Sequence, residues 1–167
     1  YLKYYFEKNN YIAIGGMAGV PAQQQEFFLD KCWKFLTNKH GEALRRVHGF
    51  GITRLKFLKK YPWHTVDSTS WLRHSATGTI KLNLKIGSVS VSDRNLNGVE
   101  HFNNLSTYDK KTVTDYLKNL KNGYTIKELT ESYIKRDEVN ALYYLNIEKI
   151  INKNPPRFII KQTTLFE

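Results

Sequence analysis

The chain has 167 residues, enough for one substantial core, and its 41% hydrophobic and 14% aromatic content excludes a disordered protein. A formal charge of +11 and a pI near 9.6 favour a polyanionic partner, nucleic acid foremost. The single cysteine, Cys32, excludes an internal disulfide framework and a zinc site built on several thiolates. No apolar run approaches the ~18 residues that span a bilayer, so the expectation is a cytoplasmic, untargeted protein with no membrane partner.

The first element in the reading is "YIAI", residues 11–14, a short buried strand closed by "GGMAG". A helix follows from Pro21, with Phe28, Cys32, Phe35 and Leu36 at helical spacing and Gly41 as its stop. "RRVHGFGIT" gives a second strand ending in glycines, "RLKFLKKYP" a short helix ended before Pro62, and "WHTV" a third strand leading into Asp67.

Alternating strands and helices predict a parallel sheet, in which reactive groups collect at the carboxyl ends of the strands. All three candidate strands end in polar or glycine-rich loops: Gly15-Gly16, His48-Gly49-Phe50-Gly51 and Asp67-Ser68-Thr69-Ser70. Asp67 has two readings, as the cap of the next helix or as a chemical group at a strand end.

From Thr79 the period changes. Leu82, Leu84 and Ile86 alternate, and Val89 and Val91 resume in the opposite parity, which predicts a β-hairpin or a bulged strand. The remainder reads as helical, with a stripe of Val113, Tyr116, Leu117 and Leu120, a capping box at Thr125 and Glu128, and a longer helix through Val139, Leu142, Tyr143, Ile147 and Ile150. The expected division is residues 1–80 for the strand-and-helix part and residues 81–167 for the hairpin and helices.

"YIAIGGMAG", "VHGFGIT" and "LKFLKKYPWHTVDSTSWLR", with "TGTI" after them, resemble in order and spacing the last strands of the tRNA-guanine transglycosylase barrel. They are more similar still to the phage and bacterial relatives that place 7-deazaguanines in DNA. The likeness covers about residues 10–80. It implies the carboxyl-terminal part of a TIM (β/α)8-type barrel with a β-hairpin and a small α-helical appendage, the rest of the barrel coming from elsewhere, as from another chain.

The implied activity replaces guanine in DNA (or tRNA) with a 7-deazaguanine base, in the cytoplasm of a bacterium or a phage-infected host. Asp67 matches the nucleophile that forms a covalent aspartyl-sugar intermediate. Gly15, Gly16, His48, Gly49, His64, Ser68 and Trp71 are expected around the base, Trp71 by stacking on it. Two departures bear on substrate. Val20 follows Gly19 where members acting on tRNA often carry a glutamate, and only one cysteine is available for the family's zinc site. No metal and no cofactor are therefore expected.

Arg54, Lys56, Lys59 and Lys60 on the short helix and Arg73 beyond Asp67 have two readings, phosphate contacts or a solvated helix face. The competing class is a non-catalytic nucleic-acid-binding protein. It would use the basic surface and a helix-turn-helix-like segment, "GYTIKELTESYIKRDEVNALYYL", with Lys135 and Arg136 near the start of its second helix. The terminal "KQTTLFE" resembles a sliding-clamp docking peptide with Gln162, Leu165 and Phe166 as anchors, and its other reading is a final strand.

Overall fold

The computed structural model describes residues 1–93 and 98–159. The chain is mixed α/β and forms two compact units, one of residues 1–68 with 150–167 and one of residues 69–149. The boundary expected near residue 80 thus falls after Ser68, and the last residues return to the first unit.

In the first unit α1 (Leu2–Lys8) precedes β1 (Tyr11–Ile14), α2 (Ala22–Leu36), β2 (Arg46–Gly49), α3 (Leu55–Lys60) and β3 (Thr65–Val66). The three strands are parallel in the order β1-β2-β3, with Ile14 opposite Gly49 and His48 opposite Thr65. Side chains alternate across a strand, so Ile12, Ile14 and Val47 are buried on one face. Tyr11, Ala13, Arg46, His48 and Thr65 occupy the other face, exposed or half-buried.

Helix α2 buries Leu29, Cys32, Trp33 and Leu36, a spacing that presents one stripe to the sheet. Trp33 stacks on Tyr61 at 6.0 Å and meets Trp63 edge-on at 5.0 Å. A side-chain carbon at Gly49 would lie 2.8 Å from Ile52 and 3.0 Å from Trp63, so glycine there admits the aromatic cluster. Lys56 and Lys60 of α3 pair with Glu26 of α2 at 2.6 and 2.8 Å, and Lys60 also reaches Asp30, so the two helices lie side by side. Sequential strands joined by right-handed crossovers place both helices on one face. Among the described residues of this unit nothing covers the face bearing Tyr11, His48 and Thr65, although parallel sheets are ordinarily covered on both sides.

Gly41, expected only to stop α2, lies five residues past Leu36, the end of the helix, and meets the returning chain. Phe158 N–H donates to the Gly41 carbonyl at 2.9 Å, and a side chain at Gly41 would come within 2.7 Å of the Phe158 carbonyl.

The second unit begins with α4 (Ser70–Ala76), followed by an antiparallel hairpin of β4 (Thr79–Lys81) and β5 (Ser88–Ser90). A 3-10 turn (Phe102–Asn104), α5 (Thr107–Lys118), α6 (Ile126–Glu131) and α7 (Tyr133–Lys153) complete the order, α7 crossing the division after Lys149. Ile80, Leu82, Val89, Val91, Leu105, Val113, Leu117, Tyr124, Leu129 and Val139 form its core. The Thr125–Glu128 capping box is present at the start of α6.

At the centre of this unit Asn140 is fully buried. Its amide donates to Trp71 O, Ser75 Oγ and Thr79 O, and its oxygen accepts from Lys81 N–H at 2.6 Å. Such full satisfaction is what makes a buried amide tolerable.

Candidate functional site at the rim of the parallel sheet

Asp67 follows β3 directly, and its N–H extends the ladder to Gly49 O at 3.2 Å. The next helix is capped at Thr69, so Asp67 is not its cap. Its carboxylate is instead 57% exposed: Oδ1 accepts from Gly51 N–H at 2.8 Å, and Oδ2 stands 3.8 Å from His48 Nε2. Gly51 has φ +70, a conformation that suits glycine and lets the turn after β2 present its N–H to the carboxylate.

His48 belongs to a polar row across the uncovered face. Its Nδ1 lies 2.8 Å from Thr65 Oγ1, and Thr65 Oγ1 lies 2.7 Å from the Tyr11 hydroxyl. Phe50 meets the His48 ring edge-on at 4.5 Å. The imidazole is therefore fixed on two sides while Nε2 faces Asp67. One carboxylate oxygen is pinned by a backbone donor and the other stands toward solvent, an arrangement that suits attack on an electrophilic carbon. Tyr11 and Thr65 were missing from the sequence expectations. Their signal is the two-residue period of the strands, which sets Tyr11, His48, Thr65 and Asp67 on one face.

Other expected site residues are placed as follows. Gly15 leads out of β1, with space above its Cα limited by Phe50, and Gly16 has φ +77 with open space where a side chain would be. Gly49 is buried and faces Ile52 and Trp63, so packing accounts for it. Ser68 is half-buried beside Asp67. His64 does not join Asp67, because it precedes β3 and so lies at the opposite end of the strand, its ring edge-on to Tyr11 at 5.7 Å. Trp71 and Arg73 belong to the second unit, Trp71 half-buried and Arg73 exposed.

The expected phosphate contacts divide sharply. Lys56 and Lys60 are engaged by Glu26 and Asp30, and the two lysine hydrogen bonds hold the Glu26 carboxyl below the usual carboxylate range. Arg54 and Lys59 are exposed and carry no ion pair among the described residues. Lys135 pairs with Glu138 at 3.0 Å. Arg136 is the clearest correction. It is buried, its Nε donating to Ser75 O at 2.7 Å and one terminal nitrogen to Leu129 O at 2.6 Å, so its charge caps backbone carbonyls rather than facing a nucleic acid. Gln162, Leu165 and Phe166 lie outside the described residues.

Among the described residues no group of three His, Cys, Asp or Glu side chains is arranged to hold a metal ion, and no helix is long and apolar enough to cross a membrane. Burial pushes the Cys32 thiol up, away from its reactive thiolate form. No family model matches the chain, and neither the curated proteins nor the solved structures contain a match to it.

Proposed function

We propose that the chain carries the nucleophilic centre of a base-exchange transglycosylase that replaces guanine in DNA, or in tRNA, with a 7-deazaguanine. The observation that carries this reading is the Asp67 carboxylate. It stands exposed at the carboxyl end of a parallel strand, oriented by Gly51 N–H and faced by His48. Strand ends of this kind are where barrels and open α/β sheets place their reactive groups.

The winding supports the barrel that the sequence resemblance implies. Strands in sequential order with both crossover helices on one face are the repeating unit of a (β/α)8 barrel, whereas a doubly wound sheet reverses its order. The uncovered face with Tyr11, His48 and Thr65 then corresponds to a barrel interior. Closure needs about five more strands, supplied by residues other than these or by a second chain.

In the reaction Asp67 Oδ2 attacks C1′ of the nucleoside. The bond from C1′ to N9 breaks, and guanine departs with the bonding pair and takes up a proton. The N9 of the incoming 7-deazaguanine, losing its proton, then attacks C1′ from the face guanine left and displaces the carboxylate. Two displacements retain configuration. Exposed Arg54 and Lys59 remain available to backbone phosphates, while Lys56, Lys60 and Arg136 have protein partners. The binding-only reading keeps the basic composition but loses Arg136, which is buried, from its helix-turn-helix-like segment.

The test incubates the chain, alone and with any partner that completes the barrel, with labelled 7-deazaguanine and either guanine-containing DNA or tRNA. Asp67→Asn should abolish the covalent adduct and lower incorporation at least about a thousandfold. Incorporation that survives the substitution would eliminate Asp67 as the nucleophile.

A further inference from the structure

The amino end of the same sheet carries a second, separate feature. An open depression of about 530 Å3 is lined by Asn10 before β1, Arg45 and Arg46 at the start of β2, Trp63 and His64 before β3, and Asn152 in the last turn of α7. All of these belong to the first unit, and β2 separates them from the Asp67 rim by roughly 10 Å of strand. The volume is that of a small-molecule site.

From this arrangement we infer a binding site for a phosphorylated nucleoside unit, either a free nucleotide or one residue of a single strand. None of the lining side chains is acidic, while two are guanidinium groups. Arg45 is held in place, its guanidinium over the Phe6 ring at 4.5 Å, with Nε donating to Phe6 O at 3.4 Å and one terminal nitrogen to Leu44 O at 2.9 Å. A guanidinium has five N–H donors, so further donors remain beyond these two bonds. Arg46 is exposed and makes no ion pair among the described residues.

Two arginines and a histidine around one depression that holds no acidic lining residue suit a dianion with several acceptor oxygens better than a carboxylate, which one fork satisfies. The carbonyl end of α7 borders the depression, but its partial charge of about −0.5 is smaller than the charge of two arginines. Trp63, Pro62, Pro155 and Pro156 add apolar lining against which a base can lie. The site stands apart from the chemistry proposed for Asp67 and does not depend on it.

The experiment titrates the full chain by calorimetry with inorganic pyrophosphate, a nucleoside monophosphate and a short single-stranded oligonucleotide. Wild type, Arg46→Gln, His64→Gln and, as a control outside the depression, Lys34→Gln on the exposed side of α2 are compared at matched salt. Arg46→Gln should weaken the bound phosphate probes about tenfold, roughly the value of one charge-assisted hydrogen bond pair. Lys34→Gln should change their affinity less than about twofold, and His64→Gln should fall between these two.

Arg46-dependent binding of both the monophosphate and the oligonucleotide identifies a nucleotide site. Arg46-dependent binding of the oligonucleotide alone assigns the site to strand backbone. Binding that ignores Arg46 and His64, or a poly-glutamate peptide that binds through Arg46 as tightly as the phosphate probes, overturns the inference. Melting temperatures of the variants equal to wild type show that the readout is not unfolding.

Discussion

The two units use polar side chains in opposite ways. In the second unit Asn140, Arg136 and Ser75 point inward and are consumed by backbone groups of α4, α6 and the hairpin. In the first unit Asp67, His48, Thr65, Tyr11 and Arg46 stand on one open face of the sheet, where little of their hydrogen-bonding capacity is spent on the backbone. The contrast separates two meanings of a polar residue in an otherwise apolar pattern. A buried and saturated group holds the fold together, and an exposed but oriented one is available to a ligand.

Substitutions test this contrast. Asp67→Asn, which removes the proposed nucleophile, should leave the melting temperature unchanged. Asn140→Ala should instead strand several buried donors and acceptors and cost about 2–4 kcal/mol, seen as early loss of the second unit in chemical denaturation. Equal stability of the two variants would collapse the distinction.

Within the first unit the core offers a sharper comparison. Trp33 is fully buried, yet its indole N–H has no partner among the described residues. Trp33→Ala should cost about 3–5 kcal/mol, whereas Trp33→Phe, which also removes the unpaired donor, should cost less than about 1.5 kcal/mol in the same denaturation experiment.

The ion pairs between α2 and α3 should matter less. Lysine hydrogen bonds hold the Glu26 carboxyl below its usual 4.5, so its stabilising effect is whole above that value and fades as pH falls through the lower folded one. Glu26→Gln should therefore lose about 0.5–1 kcal/mol at neutral pH and show a flatter acid limb in pH-dependent melting. The smallest effect belongs to the unpaired cations. Arg54→Gln or Lys59→Gln should each reduce the salt dependence of nucleic-acid binding by about one unit of slope, while Lys56→Gln should leave it nearly unchanged.

The strands of the first unit were legible from their closures: β1 is a short apolar run ended by Gly15-Gly16, β2 ends in Gly49, and β3 runs into the polar Asp67-Ser68 turn. The placement of Asp67 at a strand end was legible for the same reason. His64 was misplaced because β3 is only two residues long, so a residue three positions before Asp67 already lies at the other rim. The fate of Lys56 and Lys60 was hidden, since their acidic partners are 30 or more residues earlier and only the packing of α2 on α3 brings them together. Arg136 was readable in principle. It sits three and four residues before Val139 and Asn140, on the stripe that α7 buries, where a charge must find internal acceptors.

The contact between Gly41 and Phe158 has a consequence for biosynthesis. Phe158 lies over Tyr61 at 5.5 Å, so part of the lid on the aromatic cluster comes from a segment translated after the whole of the second unit. Residues 69–149 can consolidate on the ribosome as soon as they emerge, whereas residues 1–68 must wait for Phe158. Of the two units the earlier-made one is finished later, and a nascent chain halted before Phe158 leaves the ribosome with that cluster still open to chaperones.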